Sequence, residues 1–285
     1  MITAEYARRI TAQLTPTLDA CRTLLLDRPS RRKWLKDTSD GRQETVTDLD
    51  LMVESRLIEA IQAVEPSATI LAEESGHDAS CVDAELCFVL DPIDGTDLLI
   101  AGDTGYAISV AILSARRVLA GVLDFPARDQ RFIAILGGGA TLHDRPIRLQ
   151  GASTLASARV AVSSTQRAMD SLHSLWPQLG VAALVPTPGF TAKLAAILLG
   201  DCDAALYLPV QPRTTAIWDY AAGALLLSEA GGLLTALHGE PLLDALPIEH
   251  SHGWLAASDD LHPLLQRAVM SALGHAMPNR PPFGL

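Results

Sequence analysis

A layered α/β protein is what this sequence predicts, and three observations predict it. The chain has 285 residues, 48% apolar and 19% charged, which is enough to fill more than one core and too apolar for a disordered segment. Its first half mixes helical periodicity with runs of period two. Its second half alternates short strands with helices, the pattern of stacked layers. The change of pattern predicts an α+β subdomain over residues 1–155 and an α/β subdomain over 156–285.

Residues 2–26 carry Ile10, Leu14, Leu18, Cys21 and Leu25 at helical spacing and predict an opening amphipathic helix. Residues 27–44 are charged and turn-rich, with Arg31-Arg32-Lys33 and Asp40-Gly41, and predict a loop or hairpin over the surface. A second helix starts at Thr45-Val46-Thr47-Asp48, capped by Thr47 or Asp48. Its expected buried stripe is Leu51, Val53, Leu57, Ile58 and Ile61, and Pro66 ends it. Apolar runs at 68–72 and 86–90 read as buried strands, and 106–113, 117–123 and 130–135 as successive antiparallel ones. Gly137-Gly138-Gly139 has no Lys-Ser/Thr after it and strands around it, so it reads as a turn rather than a phosphate loop.

Strands are then expected at 160–162, 183–185, 204–208, 233–235 and 254–257. Helices are expected at 168–179 (broken late by Pro177), 191–199, 218–230 and 261–273, with Gly231-Gly232 as a C-cap. The proline-rich tail after 276 reads as frayed.

Composition narrows the function. A net charge of −11 argues against a duplex nucleic-acid binder or a polybasic membrane binder. Cys21, Cys81, Cys87 and Cys202 form no C-x-x-C pair and read as reduced and mostly buried, as in a cytoplasmic protein. Acidic Glu5 and the lack of an apolar h-region predict no signal peptide, and no apolar run approaches the roughly 20 residues of a membrane helix.

The chemistry gathers at Asp91-Pro92-Ile93-Asp94-Gly95-Thr96, which follows the apolar run at 86–90. Pro92 stiffens the link between two carboxylates, and Gly95 permits a sharp turn whose N–H groups suit an anion. Carboxylates beside an anion-binding turn repel the anion unless cations sit between them, which points to a hard divalent ion such as Mg²⁺ bridging acid and phosphate. Stretches of this composition also occur as plain surface turns, and taken alone this one leaves both readings open.

Two further stretches stand in order around it: Glu73-Glu74 after the strand at 68–72, and Trp218-Asp219-Tyr220-Ala221-Ala222-Gly223 running on to Glu229-Ala230-Gly231-Gly232. With these three motifs the chain resembles the inositol monophosphatase family, among the lithium-sensitive, Mg²⁺-dependent phosphatases, from about Thr45 to the last helix. The resemblance implies an αβαβα sandwich of the kind shared with fructose-1,6-bisphosphatase. It implies a phosphomonoesterase for a small soluble ester resembling inositol monophosphate, and a homodimer. Glu73, Asp91 and the Ile93 carbonyl would hold one Mg²⁺, and Asp91, Asp94 and Asp219 a second, with a weaker third ion on Glu73. Thr96, backed by Asp50, would orient the attacking water; Gly95 and Thr96 N–H groups would meet the phosphate, and Glu74 would support Glu73.

The sequence departs from that pattern around the substrate. Pro212 stands where inositol-selective members carry a Glu, and Arg213 follows. Gly189-Phe190-Thr191-Ala192-Lys193 is similar to the G-x-x-x-K of relatives that act on 3′-phosphoadenosine 5′-phosphate. Lys193 and Arg213 would then grip a second phosphate, making a 3′(2′),5′-bisphosphate nucleotidase the runner-up; otherwise both are ordinary solvated cations. Asp97-Leu98-Leu99 replaces the N-F that often follows the glycine-threonine. His250 and His252 suggest zinc only if a third ligand joins them, and a solvent loop is the simpler expectation. A catalytically weak regulatory binding protein is the alternative of another class.

Overall fold

A computed structural model describes residues 2–27, 32–38, 41–75, 79–209 and 214–276. Helix α1 (Ala4–Asp27) buries Ala7, Ile10, Leu14, Leu18, Cys21 and Leu25, the stripe its spacing predicts. Strands β1 (Lys33–Asp37) and β2 (Gln43–Thr47) form a separate antiparallel hairpin with Lys36 opposite Glu44. Thr47 caps α2 (Asp48–Val64), accepting from Leu49 N, while the Asp50 carboxylate returns to Thr47 N at 2.7 Å.

The buried face of α2 corrects the expected stripe. Leu49, Asp50, Val53, Glu54, Leu57 and Ile61 point inward, whereas Leu51 is 44% exposed. Val53, Leu57 and Ile61 are buried as expected and Ile58 packs against the same core, but Leu51 is not part of the stripe, and Leu49 with the acids Asp50 and Glu54 extends it.

Next come β3 (Thr69–Ala72), β4 (Cys87–Asp94), the single-turn α3 (Thr96–Ile100), β5 (Ala107–Ser114), β6 (Arg117–Phe125), β7 (Gln130–Ile135), β8 (Gly139–Leu142) and β9 (Arg145–Ile147). The seven strands lie in chain order in one sheet, parallel between β3 and β4 and antiparallel thereafter. Alternation sorts their side chains. Phe88, Leu90, Ile108, Val110 and Ile112 pack toward α1 and α2, while Cys87, Val89, Ala107, Ala111 and Leu113 pack on the other side. The glycine run at 137–139 is a turn, as expected. The N–H groups of Gly137 and Gly139 each donate to the Glu229 carboxylate at 2.7 Å.

The chain crosses to a second sheet between Ile147 and Arg159. There follow β10 (Arg159–Val162), a single turn α4 (Ser164–Arg167), β11 (Ala183–Pro186), α5 (Phe190–Leu198), β12 (Ala204–Tyr207), β13 (Thr215–Ala216) and α6 (Ile217–Ala230). After them come β14 (Gly232–Ala236), α7 (Leu242–Ala245), β15 (Glu249–His250), β16 (Trp254–Ser258) and α8 (His262–Ala276). The second sheet has the order β11-β10-β12-β16-β14, and among the described residues β13 pairs only with β15.

The helix expected over 168–179 does not form. Short 3-10 turns at Asp170–Leu172 and Trp176–Leu179 replace it, with Pro177 opening the second turn and Gly180 ending it at φ 66°. Leu172, Leu175 and Leu179 are buried at near-helical spacing, but Pro177 lacks the N–H a continuous helix needs. The tail after residue 276 lies outside the described residues.

Three cores stack the layers into αβαβα. One joins α1 and α2 to the first sheet, the central one holds α5 and α6 between the sheets, and the third joins the second sheet to α8. Helix α6 approaches the first sheet so closely that a Cβ on Gly121 would come within 2.7 Å of the Ala222 carbonyl oxygen. That contact fixes the helix carrying Asp219 against the sheet carrying Asp91 and Asp94.

Candidate metal centre

Asp91 and Asp94 are an odd number of residues apart, so an unbroken strand would send them to opposite faces. A bulge corrects the parity. Asp91 pairs with Ser109 and Asp94 with Ala107, three steps on β4 against two on β5. Both acids therefore point toward α6, the side on which Ser109 Oγ donates to the Trp218 carbonyl at 3.0 Å. Pro92 has no N–H to lose within the bulge.

Asp219 arrives from the first turn of α6, where one carboxylate oxygen accepts from Ala216 N at 2.7 Å. Carboxylate oxygens of Asp91, Asp94 and Asp219 all lie within 4.8 Å of one another. Neutral donors steady the other two: Ile93 N donates to Asp91 at 2.9 Å, and Thr191 donates to Asp94 through its N–H at 2.8 Å and through its hydroxyl. Asp91 is 1% exposed. Burial first, then the charges of Glu73, Asp94 and Asp219, push its carboxyl well above the ordinary range. Burial and the charges of Asp94 and Glu73 do the same to Asp219.

Glu73, directly after β3, stands within hydrogen-bonding reach of Asp91. Lys36 Nζ donates to Glu73 at 2.9 Å and to Glu74 at 2.8 Å, tying the β1–β2 hairpin to this edge of the site. Burial raises the Glu73 carboxyl against the pull of Lys36. Burial and the neighbouring Glu73 charge bring Glu74 up to about 7. Glu54, buried on α2, accepts from Glu74 N at 2.9 Å.

Asp50 divides its two oxygens. One closes the cap of α2 with Thr47 N and Thr47 Oγ1 (2.5 Å), and the other accepts from Thr96 Oγ1 at 2.8 Å. Burial raises its carboxyl, and these hydrogen bonds oppose the rise. Thr96 Oγ1 also lies 3.1 Å from the Ile93 carbonyl oxygen. Gly95 adopts φ 89°, the left-handed turn that glycine favours, and opens α3.

The substrate-side residues are placed differently. Lys193 is buried, and its ammonium donates to the Gly189 carbonyl at 2.5 Å, so it is not a solvated helix lysine. Pro212 and Arg213 lie outside the described residues. His250 belongs to β15 rather than to a solvent loop, with Nε2 donating to the Gly253 carbonyl at 2.7 Å. Its ring is 5.4 Å from that of His252, and among the described residues no third ligand joins them.

Sequence reasoning places Glu73, Asp91, Asp94, Asp219, Asp50 and Thr96, and the fold brings all six to one edge of the first sheet. It misses Lys36, Glu54 and Thr191. Glu54 carried a readable signal, since it follows Asp50 by one helical turn. Lys36 carried none, because its place depends on how the hairpin folds over the site.

The donor set suits a hard divalent cation. It consists of carboxylate oxygens, three of them mutually close, with neither thiolate nor imidazole among them.

The chain is similar to known proteins over most of its length. The model of the inositol monophosphatase family matches residues 8–273. Nus factor SuhB of Pasteurella multocida is 30% identical over 222 residues, covering 73% of this chain and 78% of that protein. Inositol-1-monophosphatase of Bacillus subtilis is 28% identical over 231 residues, covering 79% and 83%. A solved inositol monophosphatase from Anabaena (Nostoc) sp. superposes with a TM-score of 0.66 at 28% identity, covering 78% of this chain and 86% of that one.

Proposed function

The chain belongs to the inositol monophosphatase family, and on that premise we propose that it is a Mg²⁺-dependent phosphomonoesterase acting on a small soluble phosphate ester. The observation that carries this reading is the convergence of Asp91, Asp94 and Asp219 from distant parts of the chain to within 4.8 Å. Glu73, Asp91, Asp94, Asp219 and the Ile93 carbonyl would hold two or three Mg²⁺ ions. Bound there, Mg²⁺ supplies a Lewis acid for the phosphoryl oxygens and lowers the pKa of a coordinated water.

The protein's own part is orientation and proton transfer. Thr96 Oγ1 sits between two acceptors, the Asp50 carboxylate and the Ile93 carbonyl, so its proton is committed and its lone pairs face outward. A water held against Thr96 donates to that oxygen and keeps its own lone pairs for phosphorus. Asp50, with its second oxygen fixed by Thr47, stands behind Thr96 to accept the proton. The N–H groups of Gly95 and Thr96 are our candidates for contact with the phosphate. The same reading carries a cytoplasmic homodimer inhibited by lithium, checked by sedimentation and by a Li⁺ titration of turnover.

A second reading draws on the relatives named Nus factor SuhB: a protein whose main work is to bind a macromolecular partner. Phosphate release from a panel of inositol, sugar and nucleotide phosphates, with and without Mg²⁺, separates the two. Mg²⁺-dependent release is expected, and its absence across the panel would favour the binding role.

A further inference from the structure

Helix α5 starts without a cap of its own. It opens at Gly189, which has no side chain to accept from the first N–H groups. Gly189 stands at φ 77° and ψ 155°, a conformation that in practice only glycine adopts, and the chain turns sharply there into the helix. The missing acceptor comes from 97 residues earlier. Asp94 Oδ2, at the end of β4, accepts the N–H of Thr191 at 2.8 Å and the Thr191 hydroxyl as well.

The start of α5 is itself held in place. Lys193, 4% exposed, donates from its ammonium to the Gly189 carbonyl at 2.5 Å, one helical turn back. A Cβ on Gly189 would lie 3.3 Å from Leu98 Cδ1 and 3.5 Å from the Gly105 carbonyl oxygen. The turn is therefore seated on the segment that follows Asp94. Thr191 is fully buried, and its β-branched side chain has few rotamers in a helix, so its hydroxyl is set before it meets the acid.

Two donors from one rigid residue hold the shared oxygen, and with it the direction in which the other oxygen of Asp94 points. Backbone N–H groups of Ile93 and Ala216 reach Asp91 and Asp219, and no substitution short of proline removes them. Asp94 is also held by a hydroxyl, which a substitution can take away.

We propose that Thr191 is a positioning residue for the metal centre: delivered by α5, it holds Asp94 in the geometry that receives the divalent ion, so that Mg²⁺ affinity depends on a side chain that does not itself ligate. This inference rests on the phosphatase reading and concerns the affinity of that same site for its cation. A role in packing alone would cost folding stability in EDTA and leave the affinity where it was.

The test measures Mg²⁺ binding to the full chain by titration calorimetry, beside the Mg²⁺ dependence of phosphate release. Thr191→Val removes the hydroxyl and keeps the N–H and nearly the same volume, while Thr191→Ser keeps the hydroxyl. In Thr191→Val the dissociation constant for Mg²⁺ is expected to rise about tenfold to a hundredfold, the scale on which loss of a ligand's hydrogen-bonding partner acts. The Mg²⁺ concentration for half-maximal turnover should rise with it, and kcat at saturating Mg²⁺ should fall by a smaller factor. Thr191→Ser should recover most of the affinity. Calorimetry reads affinity apart from the fraction of folded protein, and Thr191→Ala carries the same expectation should the valine variant not fold. An unchanged affinity without the hydroxyl, or a loss that serine does not recover, would overturn the inference and leave the phosphatase reading standing. Neither Mg²⁺ binding nor Mg²⁺-dependent release in the unaltered protein would remove both.

Discussion

Two regions of the first sheet bury carboxylates, and they treat them in opposite ways. Asp124 at the end of β6 is fully buried and held between two guanidinium groups. Arg22 donates to one oxygen at 2.5 Å and 3.2 Å, and Arg131 to the other at 2.6 Å and 2.8 Å. On the opposite face, two strands away, Asp91, Asp94 and Asp219 crowd one another and rest on backbone and hydroxyl donors, while the ammonium of Lys36 reaches Glu73 and Glu74. The first arrangement carries its own compensating charge and explains itself as structure. The second gathers more acids than cations among the described residues, and that imbalance is the physical case for cations supplied from solution.

The contrast can be broken at either end. The largest effect is expected at the surplus site: Asp94→Asn should lower kcat by about a thousandfold or more, with the circular dichroism of the folded protein retained. Retained turnover would remove Asp94 from the proposed ligand set. At the compensated site, Asp124→Asn leaves the half-buried Arg22 and Arg131 with only the exposed Asp129 and Asp19 as acidic partners and should cost about 3 kcal/mol of stability. It should leave the Mg²⁺ concentration for half-maximal activity unchanged, and a shift in that concentration would blur the distinction between the regions.

Metal should act on one region alone. At a hundredfold excess over its dissociation constant, Mg²⁺ should stabilise the protein by about 2.7 kcal/mol, read as a rise in Tm that EDTA reverses. An unmoved Tm would argue that the acids do not bind the ion. The smallest effect concerns protons in the metal-free protein. Burial and the Glu73 charge raise Glu74 from 4.5 to about 7 against the pull of Lys36, so the folded state holds this proton more tightly than the unfolded chain. Its contribution is therefore complete below pH 4.5 and lost as the pH rises through about 7. In EDTA, Tm should decline across that window, and Glu74→Gln should flatten the decline.

Much of this was legible in advance, for identifiable reasons. The order of strands and helices follows from period-two and helical runs, and the acids of the site declare themselves by clustering in short motifs at strand and helix ends. The segment 168–179 misled because burial of Leu172, Leu175 and Leu179 mimics a helix, whereas Met169 is extended at its start and Pro177 withholds an N–H near its end. The face of α2 was legible at Val53, Leu57 and Ile61 and missed at Asp50 and Glu54, which point inward for polar reasons that hydrophobicity does not register. Lys36 and Thr191 were silent because each meets its partner only through tertiary contact, across a hairpin in one case and between the two sheets in the other.

The bulge between Asp91 and Asp94 means that this stretch carries its chemistry in the number of its residues as well as in their kinds. Substituting Pro92 by another residue keeps the count and leaves both acids on the α6 side. Deleting it removes the surplus residue and leaves the acids two apart in a regular strand, both still on the α6 side but without the bulge that sets their spacing. A chain shortened there would keep its core and lose the geometry of the site. The same arithmetic makes the device portable: an antiparallel pair given one surplus residue at its end can present two acids, three positions apart, to a single ion.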